Sequence, residues 1–137
     1  MQPSLRERSR YVAANWAHDP KWSTFGAGAP DRDFNGFDAH ELLGGAVLAL
    51  PLPGHSRGHT AYALPTAAGW LLHAGDAFYH AGILGPDGRQ SRAMGVFERL
   101  AAAQPDLIAA NHRRLREVAR RDDVTVVCTH EPALLDV

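Results

Sequence analysis

The apolar residues of this chain come in short blocks, and the spacing inside each block separates helices from strands. Across PSLRERSRYVAANWA (3–17), Leu5, Val12 and Trp16 share a helical face, Ser4 stands at a capping position and Pro3 precedes it, which predicts a helix. AVLALPL (46–52), TAYALPT (60–66) and GWLLHAG (69–75) are apolar runs bounded by glycine or proline, and they predict three strands. In AMGVFERLAAA (93–103), Met94, Phe97, Leu100 and Ala101 recur at helical spacing. PDLIAANHRRLREVARR (105–121) predicts another helix, with Pro105 in its first turn, Asp106 at the positive end of the dipole and Arg120 and Arg121 at the negative end. VTVVCT (124–129) is β-branched and predicts a last strand running into His130.

Residues 18–40 carry glycine, proline and aspartate among aromatics and read as one long loop. Loops of that length in a compact unit are functional or disordered, and the aromatics argue against disorder. The order is therefore helix, long loop, three strands, two helices, strand. It predicts α/β or α+β layering, with one mixed sheet and helices covering one of its faces. No repeat, low-complexity tract or linker divides the 137 residues, so residues 1–137 are expected to form a single domain.

Composition narrows the function classes. A net charge of -1 gives no global field for nucleic acid or an anionic membrane. No apolar run approaches the roughly 20 residues of a transmembrane helix, and MQPSLRERSR lacks the apolar centre of a signal peptide. The lone cysteine, Cys128, excludes an intrachain disulfide and suits a reducing cytoplasm, the expected location. The arginines of NHRRLREVARR read as a solvated helix face rather than a nucleic-acid patch. Cys128 reads as a buried strand residue, since nothing nearby in the sequence supplies a base to activate it.

Eight histidines are the unusual entry: His18, His40, His55, His59, His73, His80, His112 and His130. Three chemistry-bearing groups stand just beyond the ends of predicted strands. His55 follows 46–52, Asp76 follows 69–75 in LLHAGDAF, and His130 follows 124–129 in VVCTHEP. Strand ends on one rim of a sheet are where such proteins gather ligands, and two imidazoles with a carboxylate suit zinc or iron. His55 and His59 are four apart, but Pro51, Pro53, Gly54 and Gly58 forbid a helix, so a turn presents them. His73 reads as a satisfied sheet histidine, and His40 and His112 as surface residues. His80, close to Asp76, is a candidate for lining a pocket, as are His18 and Trp22 from the long loop.

PGHSRGH, LLHAGD and VVCTHEP resemble the last three metal motifs of the metallo-β-lactamase-fold hydrolases. NWAHDPKW and FNGF look like the inter-motif region of some bacterial members. The resemblance implies half of an αββα sandwich, the C-terminal portion of the family's domain. It implies His55 and His130 as one ligand to each of two zinc ions, Asp76 as the catalytic bridging carboxylate, and His59 and Glu131 as residues that buttress them. It further implies a small-molecule substrate, with a metal-bound hydroxide attacking an ester, thioester, lactone or amide carbonyl. Ser56 and Glu131 depart mildly from the family's threonine and aspartate. The first motif, H-x-H-x-D-H, is absent, since no two histidines here are separated by one residue.

A catalytic zinc takes three protein ligands, so the set is incomplete and the chain alone is expected to be inactive. Half of a sandwich also leaves the inner face of its sheet bare, which calls for a complementing N-terminal half or a homo-oligomer. Two functions follow: a metal-dependent hydrolase present as a truncated chain, or a non-catalytic remnant acting as an interaction module with weak or no metal binding. A chance similarity would place His55, Asp76 and His130 far apart.

Overall fold

A computed structural model describes residues 28–134, with residues 14, 17–19 and 21. The helix expected over 3–17 falls almost wholly outside the described residues, as does Trp22. Six strands form one sheet in chain order: β1 (Arg32–Phe34), β2 (Phe37–Leu42), β3 (Val47–Pro51), β4 (Thr60–Thr66), β5 (Gly69–His73) and β6 (Val124–Val127). The first five pair antiparallel as a meander, and β6 lies parallel to β5. A parallel return needs a crossover, and here it consists of α1 (Arg92–Ala101) and α2 (Pro105–Val118). The result is a mixed α+β layer, as expected for half of a metallo-β-lactamase sandwich.

The long loop expected over 18–40 is corrected by the first two strands. Asn35 and Gly36 form the tight turn between them, with φ of 52° and 84°. Positive φ at both central residues is what a two-residue hairpin needs, and Asn-Gly is the pair that tolerates it. The Asp33 carboxylate accepts from Gly36 N–H at 3.1 Å and closes the turn. Arg114 of α2 then pins the hairpin, donating to the Gly36 carbonyl at 2.8 Å and stacking 3.9 Å from the Phe37 ring centre. Arg116 donates to the Ile83 carbonyl at 3.0 Å. These two arginines are structural ties, which corrects the reading of them as merely solvated.

The cross-strand register puts Leu48, Ala63, Leu72 and Val126 on one face, with Leu50 and Ala61 beside them. That face packs against Leu115 and Val118 of α2 in the apolar core. The opposite face carries Val47, Tyr62, Leu64, Leu71 and His73, which are half-buried or exposed, beside His40, Ala49 and Val127, which are buried. Among the described residues, the helical layer packs on the first of these faces. His40 and His112, expected at the surface, are both buried. His40 is sequestered on β2 beside Asp31, and His112 lies between α2 and the loop after β5. No helix among the described residues is long and apolar enough to cross a membrane.

Helix α1 is built inside out. Its buried residue is Glu98, whereas Val96, Phe97 and Leu100 are exposed. Ser91 caps it by accepting from Met94 N–H at 3.1 Å. The apolar spacing of 93–103 was thus real, but it does not mark the face turned to this core.

Replacing fully buried Leu72 by Ala should cost about 2–5 kcal/mol, because it removes core contacts and leaves a cavity. Replacing Leu100, which is 80% exposed, by Ala should leave stability within about 0.5 kcal/mol. Urea unfolding of the two variants checks the pair.

Candidate metal centre

Each of the three strand-end loops is stiffened by its own backbone bonds. In the first, after β3, four successive carbonyls are engaged. The Leu52 carbonyl accepts from His59 Nδ1 at 3.0 Å and the Pro53 carbonyl from Asn111 at 2.7 Å. The Gly54 and His55 carbonyls accept from the Gln104 and Ala103 amides, both at 2.9 Å. The glycines and prolines that forbid a helix here leave a turn whose backbone is satisfied partly by His59 within it and partly by residues 103, 104 and 111 outside it.

The second loop, after β5, is zipped to the third. Ala74 N–H donates to the Val127 carbonyl at 2.8 Å, and Thr129 N–H donates to the Gly75 carbonyl at 3.0 Å. The end of β6 thus stays paired past its last strand residue, which carries His130 alongside Asp76. Gly75 has a φ of +56°, and a Cβ there would lie 2.8 Å from His59 Nε2. Glycine is required on both counts.

His59 joins the first two loops. Its Nδ1 faces a carbonyl, which only accepts, so Nδ1 carries the proton. Its Nε2 then accepts from Asp76 N–H at 3.0 Å. The ring is neutral and locked in one tautomer by this pair of partners. Glu131 ties the third loop to the segment after Asp76, accepting from Ala81 N–H at 3.2 Å.

On this frame the structure brings His55, Asp76 and His130 together. His55 Nε2 lies 3.4 Å from one Asp76 carboxylate oxygen, and His130 Nε2 lies 3.2 Å from the other. The three are partly exposed, His130 the most. Tyr79 reaches both imidazoles. Its hydroxyl is 3.0 Å from His55 Nδ1, and its ring centre is 4.5 Å from that of His130. A cavity of about 540 Å³ opens over the group, lined by His55, Asp76, Tyr79 and His130 on one side and by Met94, Phe97 and Ala101 of α1 on the other.

Two imidazoles and a carboxylate are the donor chemistry that zinc takes. The donors nevertheless do not enclose a single point: among the described residues no group of three or more His, Cys, Asp or Glu has the form of a metal cage. Each imidazole faces a different oxygen of one carboxylate. That geometry suits a carboxylate shared between two neighbouring ions, with one nitrogen for each, and falls short of three ligands per ion.

The remaining candidates lie elsewhere. His80 is exposed and turned away, its Nδ1 accepting from Gly82 N–H at 2.9 Å to cap a short 3-10 turn. His18 is exposed in a turn and does not line the cavity. His73 sits on the half-exposed sheet face and accepts from Gly75 N–H at 3.2 Å. Cys128 is buried, and burial pushes its thiol pKa up, the opposite of an activated nucleophile. Tyr79 and the apolar wall of α1 were not singled out from the sequence. Tyr79 stands three residues after Asp76 in GDAFYH, where its neighbour His80 was the more conspicuous residue.

No family model matches the chain. Over 135 residues it is 41% identical to the probable metallo-hydrolase Mb2322c of Mycobacterium bovis and equally to the probable metallo-hydrolase Rv2300c of Mycobacterium tuberculosis. Those matches cover 96% of this chain, which spans 44% of the length of either relative. Among solved structures, an N-acyl homoserine lactone hydrolase with its product N-hexanoyl-L-homoserine at the catalytic metal centre is 24% identical, with a TM-score of 0.49. A variant of AiiA from B. thuringiensis with N-decanoyl-L-homoserine bound gives the same values. Each covers 67% of this chain, which covers 33% of either structure.

Three measurements test this local chemistry. The nitrogen-15 shifts of His59 should show the Nδ1–H tautomer at neutral pH, and Gly75→Ala should lower stability by about 1–3 kcal/mol. Cys128 should react with iodoacetamide more slowly than an exposed thiol. Its folded-state pKa lies above the unfolded one, so its contribution to stability is complete below the unfolded pKa and is lost as pH rises through the folded value.

Proposed function

We propose, for a chain that is a metallo-β-lactamase-fold relative of the mycobacterial metallo-hydrolases, that His55, Asp76 and His130 are its share of a two-metal hydrolase site. The observation that carries this reading is the Asp76 carboxylate, one oxygen toward each imidazole at 3.4 and 3.2 Å. Asp76 would bridge two zinc ions, with His55 Nε2 on one and His130 Nε2 on the other. For His55 to ligate through Nε2, its proton must sit on Nδ1, where the Tyr79 hydroxyl accepts it at 3.0 Å. Bound metal supplies polarisation of a carbonyl and a water of lowered pKa.

The substrate class is a small ester, thioester, lactone or amide. Its polar carbonyl end belongs on the His–Asp–Tyr side of the cavity, and an apolar substituent belongs on Met94, Phe97 and Ala101. The ligands still needed come from a segment outside this sequence or from a partner chain. Residues 1–137 are then one portion of a larger metal-binding domain, in keeping with relatives more than twice as long. The half-exposed apolar sheet face fits a complementing half or a second copy.

A second reading has its own support. At most two of these protein donors serve each ion, fewer than the three that a catalytic zinc takes, and this favours a non-catalytic module with weak or no metal binding.

Zinc titration of the purified chain separates the two readings. The hydrolase reading expects saturable zinc uptake that Asp76→Asn reduces by at least about tenfold, while His130→Ala removes part of it. Uptake that is absent, or indifferent to Asp76→Asn, sinks the metal assignment and leaves the module.

A further inference from the structure

Two adjacent residues of α2 reach the loops on either side of the candidate metal centre. Asn111 and His112 are each more than nine-tenths buried. Asn111 Nδ2 donates to the Pro53 carbonyl at 2.7 Å, two residues before His55. His112 Nε2 lies 3.1 Å from the Ala77 carbonyl oxygen, one residue past Asp76, and 3.1 Å from a Glu98 carboxylate oxygen. Both of these neighbours only accept, so Nε2 carries the proton and divides it between them. Glu98 is 2% exposed, and its other oxygen accepts from Gln90 Nε2 at 2.8 Å. A carboxylate so buried is tolerated only when it is hydrogen-bonded.

We infer that Asn111 and His112 are positioning residues, a brace that sets the separation of the His55 imidazole from the Asp76 carboxylate. Consecutive side chains leave a helix about 100° apart, which lets one residue grip each loop from a single rigid element. The loop lies close against this brace: a Cβ at Gly54 would come within 3.2 Å of Asn111 Nδ2 and of Ile108 Cδ1. Through Glu98 the brace extends to α1, and so to Met94, Phe97 and Ala101. The apolar wall and the carboxylate are thereby held as one body. This inference deepens the reading above and rests on Asp76 being the shared carboxylate.

The test uses the full chain with Glu98→Leu and His112→Leu combined, and separately with Asn111→Leu. Removing both members together avoids leaving a lone buried charge but takes the partner from the Ala77 carbonyl and from the Gln90 amide, so global stability is measured alongside as the control. Amide hydrogen exchange at Asp76 and Ala77, followed by NMR, should rise about tenfold in the double variant, while Leu72 and Val126 in the sheet keep their protection. In Asn111→Leu the same rise is expected at Gly54 and His59. Zinc affinity should fall about tenfold in either variant, and His112→Gln, a neutral donor, should recover most of it.

A merely structural role would speed every amide in step with lost global stability, and that result overturns the brace, as does unchanged exchange at residues 76 and 77. If the parent chain takes up no zinc, the metal reading fails and the exchange pattern still decides the brace. If the double variant does not fold, Asn111→Ser, which shortens the reach to Pro53, decides it at Gly54 and His59 by the same comparison.

Discussion

A carboxylate kept within 3.4 Å of two imidazoles on different loops demands stiff loops, because each side chain adds its own rotamer freedom to any motion of the backbone beneath it. Here backbone hydrogen bonds supply that stiffness together with apolar packing, since Leu52, Ala74, Ala77, Phe78 and Cys128 of these loops are buried in the core. The carbonyls of residues 52–55 all accept bonds, that of Leu52 from His59 across the turn and the other three from Asn111, Gln104 and Ala103 outside it. The Asp76 loop is held by the end of β6 on one side and by His59 on the other. His59 therefore matters more for where it puts the Asp76 backbone than for any contact of its own with the cavity.

Two surfaces of the described residues carry exposed apolar side chains. Helix α1 turns Glu98 inward and leaves Val96, Phe97 and Leu100 exposed, while Tyr62 and Leu64 stand exposed on the face of the sheet opposite the core. The chain spans 44% of the length of its curated relatives, and His55, Asp76 and His130 give at most two donors to each proposed ion.

Much of this was legible in the chain itself. Period and punctuation located β3 to β6 and both helices of the crossover, because short apolar runs between glycines and prolines leave few alternatives. The loops bearing His55, Asp76 and His130 were legible for the same reason. The Asn-Gly turn in DFNGF was also there to be read, but the glycines, prolines and aspartates around it masked two short strands whose alternation spans only a few residues. His112 and His80 were misplaced in opposite directions. The charged run HRRLR gave His112 the look of a surface residue, although it is buried against Glu98, and proximity to Asp76 in sequence says nothing about the direction in which His80 points.

What the sequence determined by itself was local: which segments extend, which coil, where the turns fall and which donors stand at strand ends. These follow from side-chain period and from the backbone limits of glycine and proline, which act over a few residues. Only the tertiary structure decided that Tyr79 rather than His80 faces the imidazoles, that Glu98 is the buried residue of its helix, and that Asn111 and His112 grip two loops at once. Those pairings join residues up to 58 positions apart, and a hydrogen bond over such a separation depends on how whole elements stack, which no local pattern encodes.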